Sequence, residues 1–336
     1  MISARGVARA AVVAAMVLLP AWAVQAITID TVTVGNPGNV ADDTGYGSVP
    51  YTYNIGTYEV MAGQYTAFLN AVAGMDIYAL YDADMSRTDR GSGITRSGGG
   101  TVVNPYTYTV DANFVNRPVN YVSWGDAARF ANWLHNGQPT GAQSAGTTED
   151  GAYFLDGATS KTALLAVTRE ADWKWAITSE DEWYKAAYYD PATGTYFEYP
   201  TSSNTAPGQD MTDVSGNNAN YWTAPYVYPI DSGKYTTVAG EFQNSDSPYG
   251  TFDQGGNVWE WNESILYGSN RGLRGGSFKD GDGYLQAAGW FAYDPTNWTG
   301  GIGFRVSEVI PEPVTMAGMV LGIGGLVGYV RRRMAR

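Results

Sequence analysis

The stretch Asp253-Gln-Gly-Gly-Asn-Val-Trp-Glu-Trp261 constrains this chain most, because it crowds two tryptophans, two carboxylates and two adjacent glycines together. In extended backbone, alternate side chains point the same way. Trp259 and Trp261 then share one face, and Val258 and Glu260 share the other. The carbonyls of Gly256 and Val258 fall on one side near the Glu260 carboxylate, with Asp253 looping round from the turn. That is an all-oxygen cluster of the kind Ca²⁺ prefers. The alternative is a tryptophan-rich core strand whose acids face solvent, and spacing alone leaves both open.

Composition narrows the classes. With 14% aromatic residues and 42 glycines, the chain suits a loop-rich fold with a large aromatic core, not a helical bundle. There are no cysteines, which excludes disulfides, thiolate nucleophiles and zinc–thiolate or iron–sulfur centres. Six of the 20 basic residues (Arg5, Arg9, Arg331, Arg332, Arg333, Arg336) lie at the termini, but only Glu312 of the 33 acids does. Ile27–Glu308 therefore carries 32 acids against 14 bases, a net of −18. A body that acidic repels phosphate backbones and anionic membranes, so nucleic acid is not an expected partner and cations are.

The two ends read as address labels. Arg5 and Arg9 precede the apolar run Ala10–Leu19, then Val24-Gln-Ala26, which predicts a secretory signal over residues 1–26 cleaved after Ala26. At the other end, Pro311-Glu-Pro313 leads into an uncharged span, Val314–Val330, and then Arg331-Arg-Arg333. The span just reaches the roughly 17 residues that a membrane-crossing helix needs, with the arginines on the cytoplasmic side. This order resembles the PEP-CTERM sorting signal of exported bacterial proteins, here placed in residues 309–336. The resemblance implies recognition by an exosortase-type enzyme, transient anchoring in the inner membrane, and release to the envelope, surface or medium. A simple tail anchor is the alternative.

Between the labels, Ile27–Val34 and Tyr51–Val60 predict strands. Tyr65, Phe68, Leu69 and Val72 make a helical stripe with Gly74 as C-cap. Residues 87–104 read as a glycine- and serine-rich loop. Ser123 and Asp126 form a capping box for a second helix with Ala127, Phe130, Ala131 and Leu134 inward. His135, the only histidine, is expected on the last-turn carbonyls of that helix. Residues 138–150 look like a surface insertion, and Ser179-Glu-Asp-Glu182 caps a third helix. Asp280-Gly-Asp-Gly283 suggests a hairpin turn, or an acidic loop that binds a cation or polar ligand. Trp290, Phe291, Tyr293 and Trp298 line a groove or fill the core. No linker is visible between residues 27 and 308, so one α+β domain is expected.

Several segments together resemble one family. Tyr58-Glu-Val60, Pro118-Val-Asn-Tyr-Val-Ser-Trp-Gly-Asp-Ala127, Thr178-Ser-Glu-Asp-Glu-Trp183, Ala219-Asn-Tyr-Trp222, Gly255–Trp261, Arg274-Gly-Gly-Ser-Phe278 and Gly303-Phe-Arg-Val306 occur in its order. The chain is similar to the formylglycine-generating enzymes, or sulfatase-modifying factors, over 27–308. That implies a C-type-lectin-like fold, loop-rich with few helices and short antiparallel strands. It also implies two structural Ca²⁺ sites. One falls on Asp253, Gly256, Val258 and Glu260, the cluster already drawn from geometry. The other falls on Asn220, the Tyr221 carbonyl and Asp231, the last across a gap in the correspondence.

The chemistry does not carry over. The family's oxidases bind copper(I) through two cysteines just past Arg-Gly-Gly-Ser, and those positions fall on Asp280 and Leu285. Leucine cannot ligate a metal, and a carboxylate suits soft copper(I) poorly. The iron-dependent ergothioneine-synthase-like branch needs histidines that a one-histidine chain lacks. A Ser/His/Asp arrangement through His135 has no nominated serine. The expectation is an exported, calcium-braced domain without copper or iron, used for structure or for binding an extracellular polymer or protein. The alternative is an oxidoreductase of the same superfamily with unrecognised ligands.

Overall fold

The computed structural model describes residues 26–223, 230–231 and 233–310. All but Ala26 of the expected leader, and all but Val309 and Ile310 of the expected sorting segment, lie outside these residues. Among the described residues no helix is long and apolar enough to cross a membrane.

Short strands carry the architecture: β1 (Thr31–Val34), β2 (Tyr53–Gly56), β3 (Ile94–Ser97), β4 (Thr107–Val110), β5 (Trp175–Ile177), β6 (Tyr189–Asp190), β7 (Thr195–Tyr196), β8 (Trp259–Leu266), β9 (Asn270–Arg274), β10 (Phe291–Tyr293), β11 (Ile302–Gly303) and β12 (Val306–Val309). Among the described residues four α-helices punctuate them: α1 (Ala62–Val72), α2 (Trp124–His135), α3 (Lys161–Ala166) and α4 (Glu180–Tyr188). One antiparallel sheet runs β1-β2-β12-β5, so the first and last strands both flank β2. A second runs β10-β9-β8-β11, with β11 parallel to β8. The expected α+β, loop-rich class is what the chain adopts.

Helix starts follow local chemistry. The Ser123 hydroxyl accepts from the Asp126 amide, and the Asp126 carboxylate accepts from the Ser123 amide at 2.8 Å. Ser179 and Glu182 repeat the arrangement on α4. The predicted stripes are buried on both α1 and α2. Between them Tyr65, Phe68, Phe130, Trp133 and Phe304 interlock edge-to-face and stacked, with neighbouring rings 5.3 to 6.0 Å apart.

Several expectations are corrected. α1 ends on Ala73, whose amide reaches the Leu69 carbonyl, so Gly74 is not its cap. Residues 87–104 contain β3, which pairs with β4; both strands are largely exposed, so no apolar alternation marks them. His135 Nδ1 accepts from the Lys174 amide at 3.1 Å and does not cap its own helix. Residues 138–150 are not a surface insertion throughout. Glu149 is buried there and grips fully buried Arg129 through bonds of 2.8 and 2.9 Å. Helix α3 was not anticipated. At the start of the described chain, the Gln138 side chain accepts from the Ile27 amide at 2.7 Å and donates to the Ile27 carbonyl at 2.8 Å.

Two predictions follow from this packing. Glu149→Gln strands the Arg129 charge in the core and is expected to cost about 3–5 kcal/mol in denaturant melts. A loss below about 1 kcal/mol, the size of an exposed pair, would show that the pair is not desolvated. The second concerns Asp126, whose carboxyl burial pushes up to about 6 against the hydrogen bonds from Ser123. The folded state then holds that proton more tightly than the unfolded chain, so this contribution to stability falls as pH rises through about 6. Asp126→Asn should therefore gain in Tm relative to wild type from about pH 4 to about pH 7; a flat difference sinks the idea.

Candidate functional site

The nonapeptide enters the second sheet through three left-handed residues, Asp253 (φ 61°), Gly256 (φ 85°) and Asn257 (φ 58°). Only glycine fits at 256, where a Cβ would lie 2.2 Å from the Asn220 carbonyl oxygen. β8 then begins, and Trp261 is fully buried with its indole donating to the Val122 carbonyl at 3.0 Å. Glu260 does not face solvent: it is fully buried. Its Oε2 accepts from Trp183 Nε1 and from Arg305 Nε, both at 2.7 Å, and its Oε1 accepts from Arg305 Nη2 at 2.8 Å. Arg305 is itself fully buried and also donates to the carbonyls of Gly56 and Phe252.

Two further carboxylates belong to this neighbourhood. Asp253 accepts from the Gly240 amide at 2.6 Å, and burial pushes its carboxyl up to about 6. Glu59 is almost completely buried, with Oε1 accepting from Asn257 Nδ2 at 3.2 Å and Oε2 without a partner among the described residues. Burial first, then the charges of Asp253 and Glu260, raise the Glu59 carboxyl well above its ordinary value. Three acids thus share one guanidinium. The surplus of negative charge and the orphaned oxygen suit a cation, whereas Glu260 already has donors on both oxygens. Among the described residues no three Asp, Glu or His side chains converge to hold a metal ion by themselves. A cation here would draw on the carbonyls of Gly256 and Val258.

At the second predicted set, Asn220 is buried, and its Nδ2 donates to the Tyr235 carbonyl at 2.9 Å and to Asn257 Oδ1 at 3.1 Å. Its Oδ1 is buried and finds no partner among the described residues. The Tyr221 carbonyl accepts from Gln209, and Asp231 pairs with Arg117. The three residues are present, but two of them are turned to other partners. Asn257 bridges both neighbourhoods, because its side chain touches Asn220 on one side and Glu59 on the other. Sequence reasoning missed Glu59, Asn257 and Arg305 as site residues, although all three stand inside the motifs that carried the family resemblance.

The positions of the absent cysteines have different fates. Leu285 is fully buried among Tyr199, Ala219 and Tyr221. Asp280 Oδ2 accepts from Trp259 Nε1 at 2.8 Å and from the Ser277 hydroxyl, which pins the indole. The Asp280–Gly283 segment is not a hairpin turn: Gly281 has φ −75° and a short 3₁₀ turn follows over Asp282–Tyr284. Beside Asp280 lies a cleft of about 250 Å³ whose lining includes Trp259, Lys279, Tyr284, Phe291, Tyr293 and Thr299. Of the four rings expected to line a groove or fill the core, Phe291 and Tyr293 line this cleft, joined by Tyr284, whereas Trp290 and Trp298 are exposed outside its lining. His135 borders a separate polar pocket with Asp150, Glu170 and Asp172, and no serine lines it.

Residues 27–310 match the family model of the sulfatase-modifying factor enzyme 1-like domain. Among solved structures, the crystal structure of CarF superposes with a TM-score of 0.55 at 20% identity, covering 84% of this chain and 99% of that one. Treponema denticola variable protein 1 gives a TM-score of 0.53 at 18% identity, covering 85% and 97%. PvdO from Pseudomonas aeruginosa gives 0.46 at 18% identity, covering 84% and 92%. At such identities the first two likenesses speak for the fold alone. No curated protein matches. The family model spans most of the chain and the fold agrees with it, so the chain belongs to the sulfatase-modifying factor enzyme 1-like (FGE-sulfatase) family.

Proposed function

We propose that this member of the family is an exported, non-catalytic binding module braced by Ca²⁺. Residues 1–26 address it for export, 27–308 form the module, and 309–336 carry the sorting signal read by an exosortase-type enzyme. The observation that carries the proposal is the pairing of Leu285 with the cleft. A side chain without ligand capacity is sealed into the core at one cysteine position, while an open aromatic cleft lies beside the other. Ca²⁺ at the first site would be held by Asp253 and the carbonyls of Gly256 and Val258, with Glu260 sharing its oxygens with Arg305 and Trp183. At the second site, Asn220 Oδ1, the Tyr221 carbonyl and Asp231 would hold it, with Asp231 released from Arg117. Asn220 Oδ1, buried with no partner among the described residues, supports the second assignment.

Ca²⁺ that binds only the folded protein should raise its stability by about 2.7 kcal/mol at a hundredfold excess over Kd. The expected result is a Tm several degrees lower in chelator, restored by Ca²⁺, with the effect reduced in Asp253→Asn and in Asn220→Leu. Melting indifferent to chelator, with no calcium found by elemental analysis, would overturn the brace. For the non-catalytic role, a cysteine-containing peptide offered with copper(I) and oxygen should gain no aldehyde by mass spectrometry. Formylglycine in that peptide would refute it.

A further inference from the structure

The cleft's lining also narrows the ligand. We infer that it takes a neutral saccharide, an inference that rests on the cleft being a ligand site. Among the described residues, five of the seven exposed aromatic side chains (Tyr267, Tyr284, Trp290, Phe291 and Trp298) come from residues 267–298, and two of them, Tyr284 and Phe291, line this cleft. Trp259 and Phe291 lie with centroids 5.9 Å apart and planes at 36°, and Phe291 and Tyr293 at 6.2 Å and 34°. Trp259 is itself buried and carries Tyr284 edge-to-face at 5.4 Å and 71°, so the strip that a ligand reaches is Tyr284, Phe291 and half-buried Tyr293. The strip is stiff, because Trp259 is held by Asp280 and β10 is in register with β9, Phe291 opposite Leu273.

Polar groups stand around that strip. Asp280 Oδ1 makes no hydrogen bond among the described residues, and Lys279 also lines the cleft. Thr299 and the phenols of Tyr284 and Tyr293 add hydroxyls to the lining. The ligand classes separate on charge and polarity. A polyanion meets a body of net −18. A cation finds Lys279 in the lining, and a purely apolar chain leaves the polar rim without use. A pyranose ring offers both halves of what remains. Its C–H face, slightly positive, rests on the negative face of an aromatic ring, and its hydroxyl edges donate to a carboxylate and accept from an ammonium. A cleft of about 250 Å³ falls below the roughly 300 Å³ of a small drug-sized pocket. It therefore seats one or two sugar rings of a longer chain, and binding should be weak per site and strengthened on a polymer.

The test is calorimetry and tryptophan fluorescence on the full chain in mild detergent. The probes are neutral oligosaccharides of gluco, galacto, manno and N-acetylhexosamine type, with a uronate oligomer, a cationic peptide and a neutral aromatic peptide beside them. At least one neutral oligosaccharide should bind with a fluorescence change. Phe291→Ala, at a 44% exposed position, should weaken that binding about tenfold or more. Lys279→Ala should weaken it severalfold, and Phe154→Ala, which removes an exposed ring outside the cleft, should leave it unchanged. If only the uronate or a peptide binds, with the same dependence on Phe291, the saccharide class is wrong and the cleft stands as a ligand site. If no probe responds to Phe291→Ala, both the class and the binding role fall.

Discussion

Glu260 and Arg305 meet where no water reaches either, and much of the molecule is arranged to make that meeting tolerable. A charge taken out of water costs several kcal/mol unless its partner and remaining hydrogen bonds are all supplied. Here Trp183 of α4 supplies one donor to the carboxylate, and the carbonyls of Gly56 and Phe252 take up the guanidinium. One ion pair therefore ties β8, β2, α4 and the approach to the nonapeptide together. Arg129 with Glu149 and Arg274 with Glu180 repeat the device elsewhere. A loop-rich chain with few long elements has few backbone ladders to fix its segments, and desolvated guanidiniums, each with a planar fork of donors, do that work.

The same neighbourhood links the two candidate cation sites. Asn257 joins the Asn220 region to Glu59, so the two candidate cation sites are parts of one hydrogen-bonded network. That network lies under β8, while the cleft lies over the same strand at Trp259. Asp280 stands where a soft-metal ligand would be expected, yet its visible role is to orient an indole ring. Asp280 and its neighbours thus present an aromatic-lined cleft beside the buried network.

What was legible in the sequence was what is decided locally. Ser123 with Asp126, and Ser179 with Glu182, are pairs three residues apart, so the helix starts could be read directly. The β3–β4 hairpin could not, because Thr95, Arg96, Ser97, Thr107 and Thr109 are exposed and leave no apolar alternation. Gly281 was misjudged because an Asp-Gly pair permits positive φ without requiring it. Long-range partners were the least legible. Glu149 reads as an acid in a polar loop until Arg129 is found against it, and Glu260 reads as a free ligand until Arg305 is. The family resemblance located the site residues, but only the packing said which of their oxygens are free.

The first sheet has a mechanical consequence. β12 is an inner strand, bonded to β2 on one side and β5 on the other. Its end at Val309 is held once more, through an amide donated to the Lys174 carbonyl. A pull arriving through residue 310 along the strand therefore loads both ladders together in shear, so several hydrogen bonds must break at once. A terminal strand at an edge, pulled sideways, would instead unzip one bond at a time. Force applied at the end of β12 thus meets two ladders at once.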